Sequence, residues 1–159
     1  MASVIIKPTK ELSGEIAAPP SKSYTHRMLI AALLSRGRSR IENYLICDDT
    51  LATLQAIKSF GAKVRENGKI MEIYGVEQIK TPKKPINCRE SGATLRFMIP
   101  IAALASGEII FEMTPVLSRR PIEPLLDSLR ELGVESQYRR GDLRIKIYGG
   151  GIKGGRTSL

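Results

Sequence analysis

Ser23-Tyr-Thr-His-Arg27-Met-Leu-Ile-Ala-Ala-Leu-Leu-Ser-Arg-Gly37 and Gly92-Ala-Thr-Leu-Arg96-Phe-Met-Ile-Pro-Ile-Ala-Ala-Leu-Ala-Ser-Gly107 are two versions of one pattern. Each has a polar start, an arginine one helical turn in, an apolar run and a closing glycine. Each continues into a β-like run, Ser39 to Tyr44 and then Glu108 to Met113. An amphipathic helix ending at glycine follows in both, Asp48 to Gly61 and then Arg119 to Gly133. Two short strands come next and close on the same tripeptide, Ile73-Tyr74-Gly75 and Ile147-Tyr148-Gly149. Landmarks repeated in the same order define a duplicated unit.

Period and punctuation give the unit a β-α-β-α-β-β order. Gly14 to Ala18 is expected as a first strand, stopped by Pro19-Pro20 because proline removes a ladder donor. Ser21 opens a helix as its N-cap, and Gly37 is expected to close it in the left-handed conformation. Leu51, Leu54, Ile57 and Phe60 recur at helical spacing behind Asp48-Asp49, acids suited to the positive end of a helix. Lys63 to Arg65 and Lys69 to Tyr74 alternate around Glu66-Asn67-Gly68, a hairpin turn. Residues 85–149 repeat the order. The first helix of each unit is apolar on nearly all sides, so both are expected to be buried, and Pro100 predicts a kink in the second.

The fold class is therefore α+β, built from tandem β-α-β-α-β-β units. Residues 13–80 form the first and residues 81–149 the second. Val4 to Lys7, within residues 1–12, reads as a strand belonging to neither unit. Residues 150–159 read as a glycine-rich linker leading into the first strand of a third unit, so the chain is expected to be truncated there.

Of the 159 residues, 42% are hydrophobic, enough for a real core and against intrinsic disorder. No run nears the roughly 20 apolar residues of a membrane span, and the start has no signal-peptide core, so a cytoplasmic protein is expected. Cys47 and Cys88 make no disulfide framework. With His26 as the one histidine, no metal site is expected. The net charge of +9 points to anionic partners, either nucleic acid or small phosphorylated molecules.

Three cationic segments fit small anions. Ser21-Lys22-Ser23-Tyr24-Thr25-His26-Arg27 starts a helix, where free N–H groups and the helix dipole favour negative charge. Ser23 and Arg27 share a face there, although the same residues would also serve as an ordinary cap followed by surface cations. Arg89-Glu90-Ser91-Gly92-Ala93-Thr94-Leu95-Arg96 occupies the equivalent place in the second unit, with Gly92 permitting close approach to the backbone. Ser118-Arg119-Arg120-Pro121-Ile122 is expected to open the next helix and to present a planar guanidinium.

Pro-Ser-Lys-Ser-x-x-x-Arg, Asp48-Asp49-Thr50, Ser-Gly-x-x-x-Arg and Arg-Pro-Ile occur here in an order that resembles the 5-enolpyruvylshikimate-3-phosphate synthases among the enolpyruvyl transferases. The chain resembles the 5-enolpyruvylshikimate-3-phosphate synthase family throughout. It resembles the sister UDP-N-acetylglucosamine enolpyruvyl transferases less, since they carry an Asn-containing segment after the lysine. The resemblance implies an inside-out α/β fold and transfer of the enolpyruvyl group of phosphoenolpyruvate to the 5-hydroxyl of shikimate 3-phosphate, with release of phosphate. It implies no metal or organic cofactor. Carried over, Ser23 and Arg27 hold shikimate 3-phosphate, and Gly92 and Arg120 bind phosphoenolpyruvate. Lys22 contacts both and is the catalytic residue. Where the family commonly has Asn-x-Gly-Thr, this chain has Glu90-Ser91-Gly92-Ala93, which brings a negative charge near an anion site. The usual basic residue near Val116 is also absent. Further binding and acid/base groups are expected in the missing C-terminal part of the enzyme, so this chain alone is expected to be inactive.

A basic nucleic-acid-binding module is the rival reading. It calls for a stacking platform of aromatic residues, whereas Tyr44, Tyr74, Tyr138 and Tyr148 are scattered and Tyr24 sits at a helix start.

Overall fold

The computed structural model describes residues 3–158. Its first half holds α1 (Lys22–Leu34), β1 (Arg38–Glu42), α2 (Asp48–Ser59), β2 (Lys63–Asn67) and β3 (Ile70–Tyr74). The second holds β4 (Ile86–Asn87), α3 (Gly92–Ala102), β5 (Gly107–Glu112), α4 (Glu123–Glu131), β6 (Glu135–Gln137) and β7 (Arg144–Gly149). One sheet has the order β1-β3-β2 and is antiparallel throughout. The other has the order β4-β5-β7-β6, with β4 parallel to β5 and the remaining pairs antiparallel. Without β4 the two sheets have the same order, as a duplicated sequence requires.

The repeated Ile-Tyr-Gly has a packing cause. Ile73 and Ile147 are both fully buried, each ending its strand's inward alternation. The glycine after them lets backbone lie on the carbonyl end of the unit's first helix. A Cβ on Gly75 would run into the carbonyl oxygens of Ser35 and Ala32, and one on Gly149 into that of Ala105. That approach satisfies helix-end carbonyls, which have no partner inside a helix. The Val76 N–H donates to Leu33 O at 3.0 Å, and the Gly151 N–H donates to Ala103 O at 2.8 Å. A second matched contact closes each unit. The Lys80 N–H donates to Phe60 O and the Lys153 N–H to Leu132 O, both at 3.0 Å, with the lysine stems lying over Gly61 and Gly133.

Several expectations fail for non-local reasons. Gly14 to Ala18 forms no strand, because no ladder reaches it; Ile16 is 88% exposed. Val4 to Lys7 is likewise unpaired, and residues 150–158 contain no strand. The latter run beside α4 instead, where Thr157 Oγ1 donates to Ser128 Oγ at 2.9 Å. Gly37 is not left-handed: α1 stops at Leu34 with Ser35 extended behind it. The second unit's second helix begins at Glu123, after a single 3₁₀ turn at Leu117–Arg119, with proline in its first turn.

The two apolar helices also differ. In α3, Leu95, Met98, Ile99 and Ala102 are buried, whereas α1 buries Leu29, Ala32 and Leu33 but exposes Tyr24, Met28 and Leu34. α1 packs against α2, α3, β1 and β3, and that opposite stripe is left uncovered by the described residues. α3 continues through Pro100, which costs it the hydrogen bond to the Arg96 carbonyl. α2 packs against α1, α3 and β4, so it joins the two halves.

Candidate functional site

Three helices start close together. α1 begins at the N-cap Ser21, whose Oγ accepts the Tyr24 N–H at 3.3 Å. α3 begins at the N-cap Ser91, whose Oγ accepts the Thr94 N–H at 3.1 Å. α2 begins between them, with Asp48 and Asp49 in its first turn. Lys22 Nζ lies 2.7 Å from Asp49 Oδ2, tying α1 to α2, and Arg89 Nη1 lies 3.2 Å from Asp48 Oδ1, tying α2 to the approach of α3. Such starts leave N–H groups without helical partners and carry the positive dipole end. The cluster therefore pairs three partial positive poles with cationic side chains.

The cations are held differently. Lys22 donates a hydrogen bond to Asp49, and this bond, with the attraction of that carboxylate, raises its pKa above the usual lysine value. Arg27 Nη1 donates to Ser23 O at 3.1 Å, and its guanidinium lies 5.4 Å from the Phe97 ring centroid. This stacking aims a planar cation without neutralising it. Arg96 donates to Pro121 O at 2.7 Å and to Gly92 O at 3.3 Å, so it braces backbone. Arg27 and Arg120 have no carboxylate partner among the described residues and keep their charge free for an anion.

Gly92 explains how Arg120 arrives. A Cβ there would come within 2.7 Å of Arg96 Nη1 and 3.2 Å of Arg120 Nη1. The glycine makes room for two guanidinium tips over the start of α3, where the sequence alone suggests room for a ligand. Glu90 is exposed in the turn before α3. Lys22, Ser23 and Arg27 thus stand on the first turns of α1, and Gly92 and Arg120 at the start of α3. A cavity of about 700 Å³ lies against Gly61, Gly75 and Lys80, at the opposite ends of α1 and α2.

Sequence reasoning missed the polar contacts beneath this surface. His26, Thr53, Thr94 and Ser91 are buried and linked side chain to side chain. Thr53 and Thr94 sit among apolar neighbours on buried helix faces, a pattern that could have flagged them. Burial lowers the His26 pKa, which keeps the imidazole neutral. Cys88, also buried, is pushed up to about 12 and is an inert core thiol.

The fold and the site define a duplicated α+β protein that concentrates positive charge where helices of both repeats begin. The profile of the EPSP synthase family, 3-phosphoshikimate 1-carboxyvinyltransferase, matches residues 6–159. The chain is 42% identical over 160 residues to the 3-phosphoshikimate 1-carboxyvinyltransferase of Thermococcus kodakarensis, covering 98% of this chain and 37% of that one. It is 44% identical over 151 residues to the enzyme of that name from Methanothrix thermoacetophila, covering 93% and 35%. An EPSP synthase structure from Acinetobacter baumannii superposes with a TM-score of 0.78 at 25% identity, covering 86% of this chain and 32% of that one. The chain belongs to the EPSP synthase family. It spans about a third of the length of the relatives it matches.

Proposed function

We propose that this chain supplies the surface on which a 3-phosphoshikimate 1-carboxyvinyltransferase holds two anionic substrates side by side. Ser23 and Arg27 hold shikimate 3-phosphate. Gly92 and Arg120 form the place for phosphoenolpyruvate, and Lys22 reaches both and serves proton transfer. The observation that carries this reading is the meeting of the α1 and α3 starts around Lys22, with Arg27 and Arg120 unpaired among the described residues. In the reaction the 5-hydroxyl oxygen bonds to the enol carbon of phosphoenolpyruvate and phosphate leaves. Placing two polyanions in contact opposes that step, and preorganised cations offset the repulsion as charge moves. Asp49 keeps Lys22 protonated and oriented. The chain spans 37% of the length of its Thermococcus kodakarensis relative, and on this reading it binds without turning over.

Calorimetric titration with shikimate 3-phosphate and with phosphoenolpyruvate tests this. Binding of shikimate 3-phosphate is expected in the unmodified chain and lost in Lys22→Ala and Arg27→Ala. Binding that survives both substitutions places the anion elsewhere. Release of phosphate from the two substrates at an enzyme-like rate by this chain alone would overturn the division of labour.

A further inference from the structure

Four buried side chains join the first turns of α1 and α3. His26 of α1 is 1% exposed, and Thr53 of α2, Thr94 of α3 and its N-cap Ser91 are each 0% exposed. His26 Nδ1 lies 2.7 Å from Thr53 Oγ1, Thr53 Oγ1 lies 2.7 Å from Thr94 Oγ1, and Thr94 Oγ1 lies 2.7 Å from Ser91 Oγ. Buried hydroxyls and an imidazole are costly unless their partners are in place, so a closed series of this kind specifies one arrangement of its helices.

Proton counting orders the series. The Thr94 hydroxyl has one proton, and in one order of donation it goes to Ser91 Oγ, 2.7 Å away, or to the Asp49 carbonyl oxygen 3.2 Å away. The bond between Thr94 and Thr53 must then use the Thr53 proton. Thr53 has no second proton to give, so His26 Nδ1 must be the donor to Thr53. In that order donation runs one way, from α1 through α2 to the N-cap of α3, and it leaves no unpartnered N–H on His26. His26 Nε2, buried and without a hydrogen-bond partner among the described residues, is the unprotonated nitrogen.

We propose that His26 is a positioning residue: as the Nδ1–H tautomer it sets, through Thr53 and Thr94, where the Ser91–Gly92 start of α3 stands relative to Lys22, Ser23 and Arg27 on α1. The importance of that spacing rests on the reading that the two helix starts hold two substrate anions. Asparagine places an amide N–H where Nδ1–H lies and leaves out Nε2, so His26→Asn keeps the relay. His26→Leu and Thr53→Val break it at successive links.

The chain's one histidine gives unambiguous imidazole signals. Long-range ¹H–¹⁵N spectra at pH 7 are expected to show Nδ1 protonated and Nε2 bare. In amide spectra, Ser91 and Gly92 should keep their shifts in His26→Asn and move in His26→Leu and Thr53→Val. An Nε2–H tautomer overturns the proposal. So do Ser91 and Gly92 amides that stay in place in both relay-breaking variants. In phosphoenolpyruvate titrations, His26→Asn should bind within about twofold of the unmodified chain and the other two at least fivefold more weakly. If the unmodified chain fails to bind phosphoenolpyruvate while the amides respond as expected, the substrate reading falls and the relay stands.

Discussion

Gly75→Ala probes the duplication at its tightest point. The added methyl would meet the carbonyl oxygens of Ser35 and Ala32, and that of Leu33 at 2.7 Å, all of them backbone atoms at the end of α1. Backbone cannot swing aside as a lysine tip can, so β3 and α1 must separate. Overpacking of this kind costs about 1–3 kcal/mol. The separation also strains two hydrogen bonds, the Gly75 N–H to Gly37 O at 3.2 Å and the Val76 N–H to Leu33 O at 3.0 Å. At about 1 kcal/mol each, their loss brings the expected destabilisation to about 3–5 kcal/mol. That is a large part of the roughly 5–15 kcal/mol that holds a domain folded. Gly149→Ala should behave alike, since its methyl would meet Ala105 O and lie 2.9 Å from Ala102 O. Gly37→Ala is the control, because nothing lies within 4 Å of its added methyl and its backbone is not left-handed. It should change stability by less than about 1 kcal/mol. Urea unfolding followed by far-ultraviolet circular dichroism measures all three. A Gly75→Ala stability within about 1 kcal/mol of that of Gly37→Ala would refute the close-approach argument.

Gly92→Ala meets only the flexible tips of Arg96 and Arg120, so it should leave the urea midpoint nearly unchanged. Displacing Arg120 should weaken phosphoenolpyruvate binding about tenfold, or roughly 1.4 kcal/mol, as calorimetry would show; equal affinity removes Arg120 from the site. Asp49→Asn takes away the carboxylate charge that helps to raise the Lys22 pKa, which should fall. A ¹³Cε titration of the lysines reads this, and an unmoved Lys22 contradicts the pairing. Burial lowers the His26 pKa from 6.5. Below that pH the unfolded chain therefore takes up a proton that the folded chain resists, and stability drops by up to about 1.4 kcal/mol for each unit the pH falls. His26→Asn should lose this component; an identical slope from about pH 6.5 down to about pH 5 in both proteins rules it out.

What the sequence made legible was local. Ser21 caps its helix as a hydroxyl placed before an apolar run does. Gly68 turns the hairpin because it can take a positive φ, here 60°. The echo of Ile-Tyr-Gly locates the strand ends, although its cause, backbone resting on carbonyls, appears only in three dimensions. Pairing is harder to read. Gly14 to Ala18 has strand composition, but a strand exists only where a partner offers a ladder. Met28 and Leu34 resemble core residues, and only the placement of α2, α3 and the strands shows which stripe of α1 they occupy. At the site, Lys22, Ser23 and Arg27 stand out because one helical turn brings them together. The His26–Thr53–Thr94 relay spans three helices, so no spacing within one segment reveals it. Arg120 reads as part of a helix but precedes one; Pro124, suited to a first turn, is the signal that marks the true start.

α2 belongs to the first repeat by sequence, yet its Asp48 pairs with Arg89 and its Thr53 and Asp49 carbonyl meet Thr94, all in the second. The counterpart of α2, α4, starts with Ile122-Glu123-Pro124 and has no such acidic pair. The two copies have divided their labour at the surface where they meet, one offering the Asp48 carboxylate and the Asp49 carbonyl and the other the Arg89 guanidinium, with a hydroxyl from each between them. Physically the chain is a dimer of unlike halves joined by a tether, whose short length holds one half at a high effective concentration around the other. The first half cannot be replaced by a copy of its twin, because a helix starting as α4 does would leave Arg89 with no Asp48 to answer it.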